Sequence, residues 1–344
     1  MPTDIPQWPK VDRRLFESEI LPAGRPAVFK GAVNSWPLVQ RRTDSAAAIT
    51  NYLRTFNPGT QVEWLAGEPG INGRFFYNDA LNGMNFRRVR GTFADALSQL
   101  LRHVADPAPP ALALQALSIS AHLPHFDLQH RLDLPPVDTQ ATMWIGNAST
   151  VAAHFDFNDN IACVAHGRRR FMLFPPEQLE NLYVGPLEFT PQGVPISLVD
   201  AHNPDLARYP RFEQAAAAAQ VAELEAGDAL FIPYMWWHSV RSLEPFNILI
   251  NYWWNAVRRP VVAPFHSLLH GVLAIANLPS AQRDIWKGFF DHYVFQVHGD
   301  PAAHISHGRR GLLGSLSPEQ AAQFTAVLAH LLSGTHQSQP GPRT

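Results

Sequence analysis

The chain of 344 residues has one cysteine, Cys163. A lone thiol excludes an intramolecular disulfide and any zinc site built from cysteines, and it fits a reducing cytoplasm. Because Cys163 sits in an apolar run, it reads as a small buried hydrophobe rather than a reactive group. Charge is scarce as well. Only 16% of residues are Asp, Glu, Lys or Arg, and 27 basic against 29 acidic side chains leave a net charge of −2. Without a basic excess, DNA binding and attraction to anionic lipid lose their electrostatic basis. No apolar run approaches the length that spans a bilayer, and the opening MPTDIPQWPK has neither a basic n-region nor an apolar h-region. The expectation is a cytoplasmic protein with no membrane partner. No internal repeat is visible.

What is present is a large globular chain whose pattern changes twice. Its length suits one large domain or two, and its apolar share of 46% is ordinary. Residues 1–110 read as an α/β region: a strand at 25–31, a helix at 44–56 capped by Asp44 or Ser45, strands at 62–66 and 74–77, and a helix at 92–104 capped by Thr92. The run DPAPP at 106–110 breaks the chain. From 111 to 257 short strands follow one another, at 111–118, 142–145, 150–155, 160–165, 169–174, 221–224, 229–232, 239–243 and 247–253. Gly, Pro and Asn punctuate them, which suggests a sandwich or barrel. An insertion at 179–220 holds Pro186, Pro191, Pro195, Pro204 and Pro210 before a helix at 213–220, and should wrap one side of the core. Residues 258–334 turn helical, at 263–276, at 280–290 and from Ser317, where a Ser cap, Pro318 and Gln320 compose a capping box. The tail 335–344 reads as disordered.

The strongest chemical signal is His154-Phe155-Asp156. Side chains at i and i+2 of a strand share a face, so an imidazole and a carboxylate can reach one point. Taken alone, such a triplet is usually surface or satisfied core. Downstream, a Gly227-Asp228 turn leads into an apolar strand and then Tyr234-Met235-Trp236-Trp237-His238. A histidine beside two tryptophans is most often core packing, yet His238 is the natural third ligand once His154 and Asp156 are considered with it. Two histidines and one carboxylate are the facial set that holds Fe(II) and leaves positions open for oxygen chemistry.

Around these residues stand His-Phe-Asp, Asn160, Gly167-Arg168-Arg169-Arg170, Leu173-Phe174-Pro175-Pro176-Glu177-Gln178 and Leu182-Tyr183. Ile232-Pro233, Trp236-Trp237-His238 and Asn251-Tyr252-Trp253-Trp254 follow in order. This succession resembles the JmjC, or cupin-like, 2-oxoglutarate oxygenases over residues 110 to 256, and most of all the branch containing the asparaginyl hydroxylase of hypoxia-inducible factor. Arg25-Pro26-Ala27-Val28 and Ser35-Trp36-Pro37 extend the likeness toward the N-terminus. The resemblance implies a mainly β fold with flanking α: a double-stranded β-helix, or jelly roll, with an α/β N-terminal region and a helical C-terminal region.

It also implies chemistry. Fe(II) would be held by His154, Asp156 and His238, with 2-oxoglutarate and O2 as cosubstrates. Arg169 stands fifteen residues after the first iron histidine, where relatives carry a lysine, and would fork onto the distal carboxylate of 2-oxoglutarate. Alternation puts Arg168 and Arg170 on the opposite face. Asn160 and Asn251 fall where the family places cosubstrate-contacting amides. One departure is Val151, which occupies the place of a hydroxyl residue; Thr150, through a one-residue shift, or Gln115 and Ser118 are candidates for the missing hydrogen bond. Tyr234, Trp236, Trp237 and Trp253 are candidates for the substrate side. The expected reaction is hydroxylation, ahead of demethylation, of an unknown protein or small-molecule substrate. A metal-binding cupin of another reaction class, and a non-enzymatic binding or regulatory protein, stay open. For the C-terminal helices, a homodimer interface and packing against the chain's own barrel fit equally.

Overall fold

A computed structural model describes residues 2–191, 193–255 and 263–334; the tail expected to be disordered, 335–344, lies outside them. The chain divides into two units, Met1–Ala256 and Val257–Thr344. Fifteen strands are described, all in the first: β1 (Thr3–Asp4), β2 (Gln7–Trp8), β3 (Ala27–Phe29), β4 (Gln61–Gly67), β5 (Arg74–Phe75), β6 (Phe86–Thr92), β7 (Ala111–Ser118), β8 (Ala141–Gly146), β9 (Thr150–His154), β10 (Asp159–His166), β11 (Arg168–Phe174), β12 (Gln220–Glu225), β13 (Ala229–Ile232), β14 (Trp237–Ser242) and β15 (Asn247–Trp254). They make a six-stranded sheet, β1-β12-β11-β14-β9-β5, and a nine-stranded sheet, β2-β3-β13-β10-β15-β8-β7-β4-β6. This is a jelly roll of the cupin type, mainly β with flanking helices.

The layers explain why the central strands read as unbroken apolar runs. On β10, Ala162 and Val164 face the space between the sheets with Phe171, Leu173, Leu230 and Leu249. Ile161, Cys163 and Ala165 face the other way, into a core shared with Phe93, Leu97, Leu100, Ile49 and Leu53 of two helices. A strand covered on both faces has no polar side to display, so period-two alternation vanishes from it. Those helices open where their side chains dictate. Ser45 accepts from the Ala48 amide ahead of Ala46–Arg54, and Thr92 and Asp95 cap Phe93–Arg102 reciprocally.

The N-terminal residues are woven into both sheets. β1 pairs with β12, β3 with β13, and β4 lies between β6 and β7. β6, FRRVRGT, goes unrecognised in the sequence because its arginines obscure any strand pattern. It is an edge strand, and Arg88 and Arg90 both pair with Glu63 across to β4. Charges on an exposed edge discourage pairing with another chain. The insertion backs the six-stranded sheet: Leu182, Val199, Phe212 and Ala215 pack on Phe155, Met172, Phe174 and Trp237. Its helix, Phe212–Ala218, ends before Gln220, which opens β12.

In the second unit lie helices Pro264–Ile275, Ser280–Tyr293 and Pro318–Gly334. The last opens with the expected box: the Gln320 amide donates to Ser317 Oγ, and the Ser317 amide to Gln320 Oε1. Leu273, Ile285, Val327 and Leu331 on these helices are exposed. No helix among the described residues is long and apolar enough to cross a membrane.

Candidate active site

β9 and β14 are antiparallel neighbours, and His154 stands directly opposite His238. The imidazole centroids lie 4.2 Å apart. Asp156 joins them with Oδ2 at 3.6 Å from His238 Nε2, and one ligand atom from each of the three lies within 4.8 Å of the others. Strand alternation does not produce this convergence, because β9 ends at His154. The chain turns after it, and the Met235 amide donates to the Asp156 carbonyl at 3.1 Å. Met235 has a φ of 63°, so the turn that delivers Trp237 and His238 is one that non-glycine residues rarely adopt.

Hydrogen bonds fix both imidazoles for metal binding. His154 Nδ1 lies 2.9 Å from the Ala152 carbonyl and His238 Nδ1 3.0 Å from the Trp236 carbonyl. A carbonyl only accepts, so each Nδ1 carries the proton and each Nε2 keeps its lone pair for an ion. Burial, then the neighbouring His238, pushes His154 down to about 4 against the pull of Asp156. The ring is neutral at pH 7, the form that ligates.

The three residues open onto a cavity of ≈190 Å³ between the sheets, lined also by Trp144, Asn160, Arg169, Asn251 and Trp253. Arg169 is 6% exposed, and its Nε is buried with no hydrogen-bond partner. Burial lowers its pKa to about 10. Arg168, on the opposite face, pairs with Glu223 at 2.9 Å and Glu244 at 2.7 Å. In the facing sheet, Asn251 Nδ2 donates to Asn160 Oδ1 at 2.8 Å, while Asn251 Oδ1 and Trp144 Nε1 are buried without partners among the described residues. A buried guanidinium without a counter-ion costs several kcal/mol (~3–5 for a broken buried pair), and native structures keep such groups where a ligand completes them. The residues therefore fit the absent groups: a facial donor set for Fe(II), and a cation at the far side for a dicarboxylate.

Other sequence candidates stand elsewhere. Opposite β14, the register shifts so that His238 faces His154 while Val240 faces Val151. This bulge, three residues against two, turns Val151 and His154 both into the cavity, and Thr150 is not among the lining residues. A second shift in β7, between Leu114 and Leu117, coincides with a φ of 49° at Ala116. Ala116 lines the cavity, and Gln115 and Ser118 do not. Ser118 Oγ accepts instead from the Ala121 amide at 3.4 Å. Among the aromatic candidates only Trp253 lines the cavity. Trp236 donates from Nε1 to the Gly24 carbonyl, Trp237 packs 4.7 Å from Phe155, and Tyr234 is 43% exposed. Trp144 escaped sequence reading because Thr142-Met143-Trp144-Ile145 is nearly all apolar, so nothing marks which side faces the cavity.

A family model described as a cupin-like domain matches residues 13–259. Lysine-specific demethylase JMJ31 of Arabidopsis thaliana is 36% identical over 272 residues, covering 70% of this chain and 48% of that protein. The bifunctional peptidase and (3S)-lysyl hydroxylase JMJD7 of Homo sapiens is 26% identical over 262 residues, 67% of this chain and 77% of that one. HSPB1-associated protein 1 of Rattus norvegicus is 36% identical over 116 residues, 33% of this chain and 24% of that one. The chain thus spans about half the length of the plant relative and a quarter of the rat one. With the jelly roll, the facing histidines and the family match over most of its length, the chain belongs to the cupin-like JmjC family of 2-oxoglutarate oxygenases.

Proposed function

We propose that this protein is an Fe(II)- and 2-oxoglutarate-dependent hydroxylase that acts on a C–H bond of a protein side chain or small molecule. The observation that carries the reading is Arg169, a buried cation without a counter-ion among the described residues, in the same cavity as His154, Asp156 and His238. When bound, iron and 2-oxoglutarate would supply the oxidant: one atom of O2 enters the succinate formed as CO2 leaves, and the other enters the product.

The chain's own residues bind, orient and exclude water. His154 and His238 offer Nε2, and Asp156 offers a carboxylate oxygen. Arg169 pairs with the distal carboxylate, and a planar guanidinium suits two parallel hydrogen bonds. From the facing sheet, the Trp144 indole N–H offers a further donor to the same cavity. Val151, Phe171, Ile232, Val240 and Leu249 keep the cavity apolar around them, so charge interactions inside it are strong.

Demethylation is the same C–H hydroxylation at an N-methyl group, followed by loss of formaldehyde. Hydroxylation is the reading preferred here because the chain's charge balance offers no basic surface for chromatin. The single buried cysteine supports a cytoplasmic setting. The exposed apolar residues of the C-terminal helices support a homodimer, which light scattering of the full chain checks; a monomer mass at micromolar concentration overturns it.

Anaerobic addition of Fe(II) and 2-oxoglutarate should raise the weak visible charge-transfer band of the bound chelate, and air should then release succinate. A chain that holds a metal without binding 2-oxoglutarate would be a cupin of another reaction class. One that binds neither would be a binding protein. Formaldehyde released from a methylated peptide would replace hydroxylation with demethylation.

A further inference from the structure

We infer that Trp253 is a positioning residue for the metal centre: its indole N–H orients the Asp156 carboxylate, and through it sets metal affinity. The inference rests on the metal-dependent reading above. Trp253 Nε1 donates to Asp156 Oδ2 at 3.2 Å across 97 residues of sequence. That oxygen is the one 3.6 Å from His238 Nε2, so the hydrogen bond acts on the atom that faces the ligand set.

The three ligands differ in how they are held. Each histidine has its Nδ1 fixed by a carbonyl two residues earlier in its own strand or turn. Asp156 lies beyond the end of β9 and has no such local anchor. Among the described residues, the Trp253 indole is the donor its carboxylate finds. The indole is itself held firmly. Trp253 sits on β15 opposite Asn160 of β10, and its ring meets Trp144 edge to face at 6.0 Å and 81°. An indole donates one hydrogen bond and carries no charge. It can fix one carboxylate oxygen while leaving other lone pairs for a metal, whereas a lysine or arginine there would compete with the ion. Deleting such an orienting partner typically weakens metal binding about 10–100-fold.

Trp253→Phe keeps an aromatic ring on β15 and removes the N–H together with part of the indole's volume. The test measures Co(II) affinity of the full chain from its d–d absorption, without 2-oxoglutarate, beside the melting temperature of the metal-free protein. Trp253→Phe should bind Co(II) about 10–100-fold more weakly while the metal-free chain still melts in one cooperative transition. In an Asp156→Ala background the same substitution should change affinity less than about twofold, since the effect travels through that carboxylate. Wild-type affinity in Trp253→Phe, or an undiminished effect without Asp156, overturns the inference. Should Trp253→Phe fold poorly, a measurement on unaltered tryptophans remains. Asp156→Ala should shift one of the nine indole N–H resonances of the metal-free chain, and no shift overturns the role. A wild-type chain that binds no Co(II) would instead overturn the metal-dependent reading itself.

Discussion

The two ends of the cavity are built on opposite terms. At the metal end, each ligand already has the hydrogen bond that orients it: His154 from Ala152, His238 from Trp236 and Asp156 from Trp253. Away from it, Arg169 Nε is a donor that, among the described residues, is buried with nothing to bond. A metal site needs its donors aimed before the ion arrives, because coordination tolerates little angular error. A carboxylate site must leave donors free, since any internal partner would compete with the ligand. At neutral pH the first end should therefore cost the fold little, while the second costs it something.

Removing a ligand tests the metal end most severely. Alanine at His154, Asp156 or His238 should weaken Co(II) binding by more than about 100-fold, beyond the effect of losing an orienting neighbour. Calorimetric titration measures it, and a variant that binds as wild type would take that residue out of the ligand set.

Next in size is Arg169→Met, which should separate stability from binding. Affinity for 2-oxoglutarate in the Co(II) form should fall about 100-fold, for the loss of charge-assisted hydrogen bonds worth roughly 1.5–3 kcal/mol each. Urea unfolding of the metal-free chain should show stability unchanged or raised by about 1 kcal/mol, because an unpaired buried charge has gone. A marked loss of stability would mean that Arg169 has a structural partner, and the contrast between the two ends would dissolve.

A smaller effect comes from His130, a neutral buried histidine that serves the fold rather than the cavity. Its Nε2 accepts from the Leu38 amide at 3.1 Å, its Nδ1 donates to the Phe126 carbonyl at 2.7 Å, and its ring stacks on Phe126. Burial holds it down at about 4, below the 6.5 of an unfolded chain. The unfolded state then takes up a proton that the folded state refuses. Stability is complete above 6.5 and falls as pH drops from 6.5 toward 4, by up to about 3 kcal/mol. His154 adds a loss of the same sign in the metal-free chain. Unfolding by urea at pH 7, 5.5 and 4.5 reads the slope; a flat profile would refute it. Bound metal should keep the His154 loss and carry it to lower pH, since a liganded imidazole takes up no proton, and leave that of His130 unchanged.

The smallest effects belong to residues that the bulges turn away. Thr150→Val and Gln115→Ala should change 2-oxoglutarate affinity less than about twofold, since neither lines the cavity. A tenfold loss in either would show that the ligand-bound wall is rearranged.

Much of this was legible in advance wherever the physics is local. Caps at Ser45, Thr92 and Ser317 depend on side chains within one helical turn. Alternation along an unbroken strand separates Arg169 from Arg168, which is left to Glu223 and Glu244 outside, and the family resemblance picked Arg169 as the inward one. Thr150, Gln115 and Ser118 illustrate what was not legible. Each stands beside or within a strand whose register slips by a residue, and a bulge is a property of two paired strands that neither one carries alone. Trp236, Trp237, Trp253 and Tyr234 show the same limit. Four aromatics near the third ligand divide into core, surface and cavity wall only when the facing sheet is in place.

By itself, the sequence determined the mainly β fold and the family, and it offered His154, Asp156, His238 and Arg169 as candidates. Tertiary structure alone decided that Asp156 leans on an indole 97 residues away, that Val151 rather than Thr150 lines the wall, and that Arg169 has no ion pair among the described residues. The reason is one of range: side-chain chemistry and strand period act over a few residues, while orientation and the absence of a counter-ion are settled by whichever distant strands pack alongside.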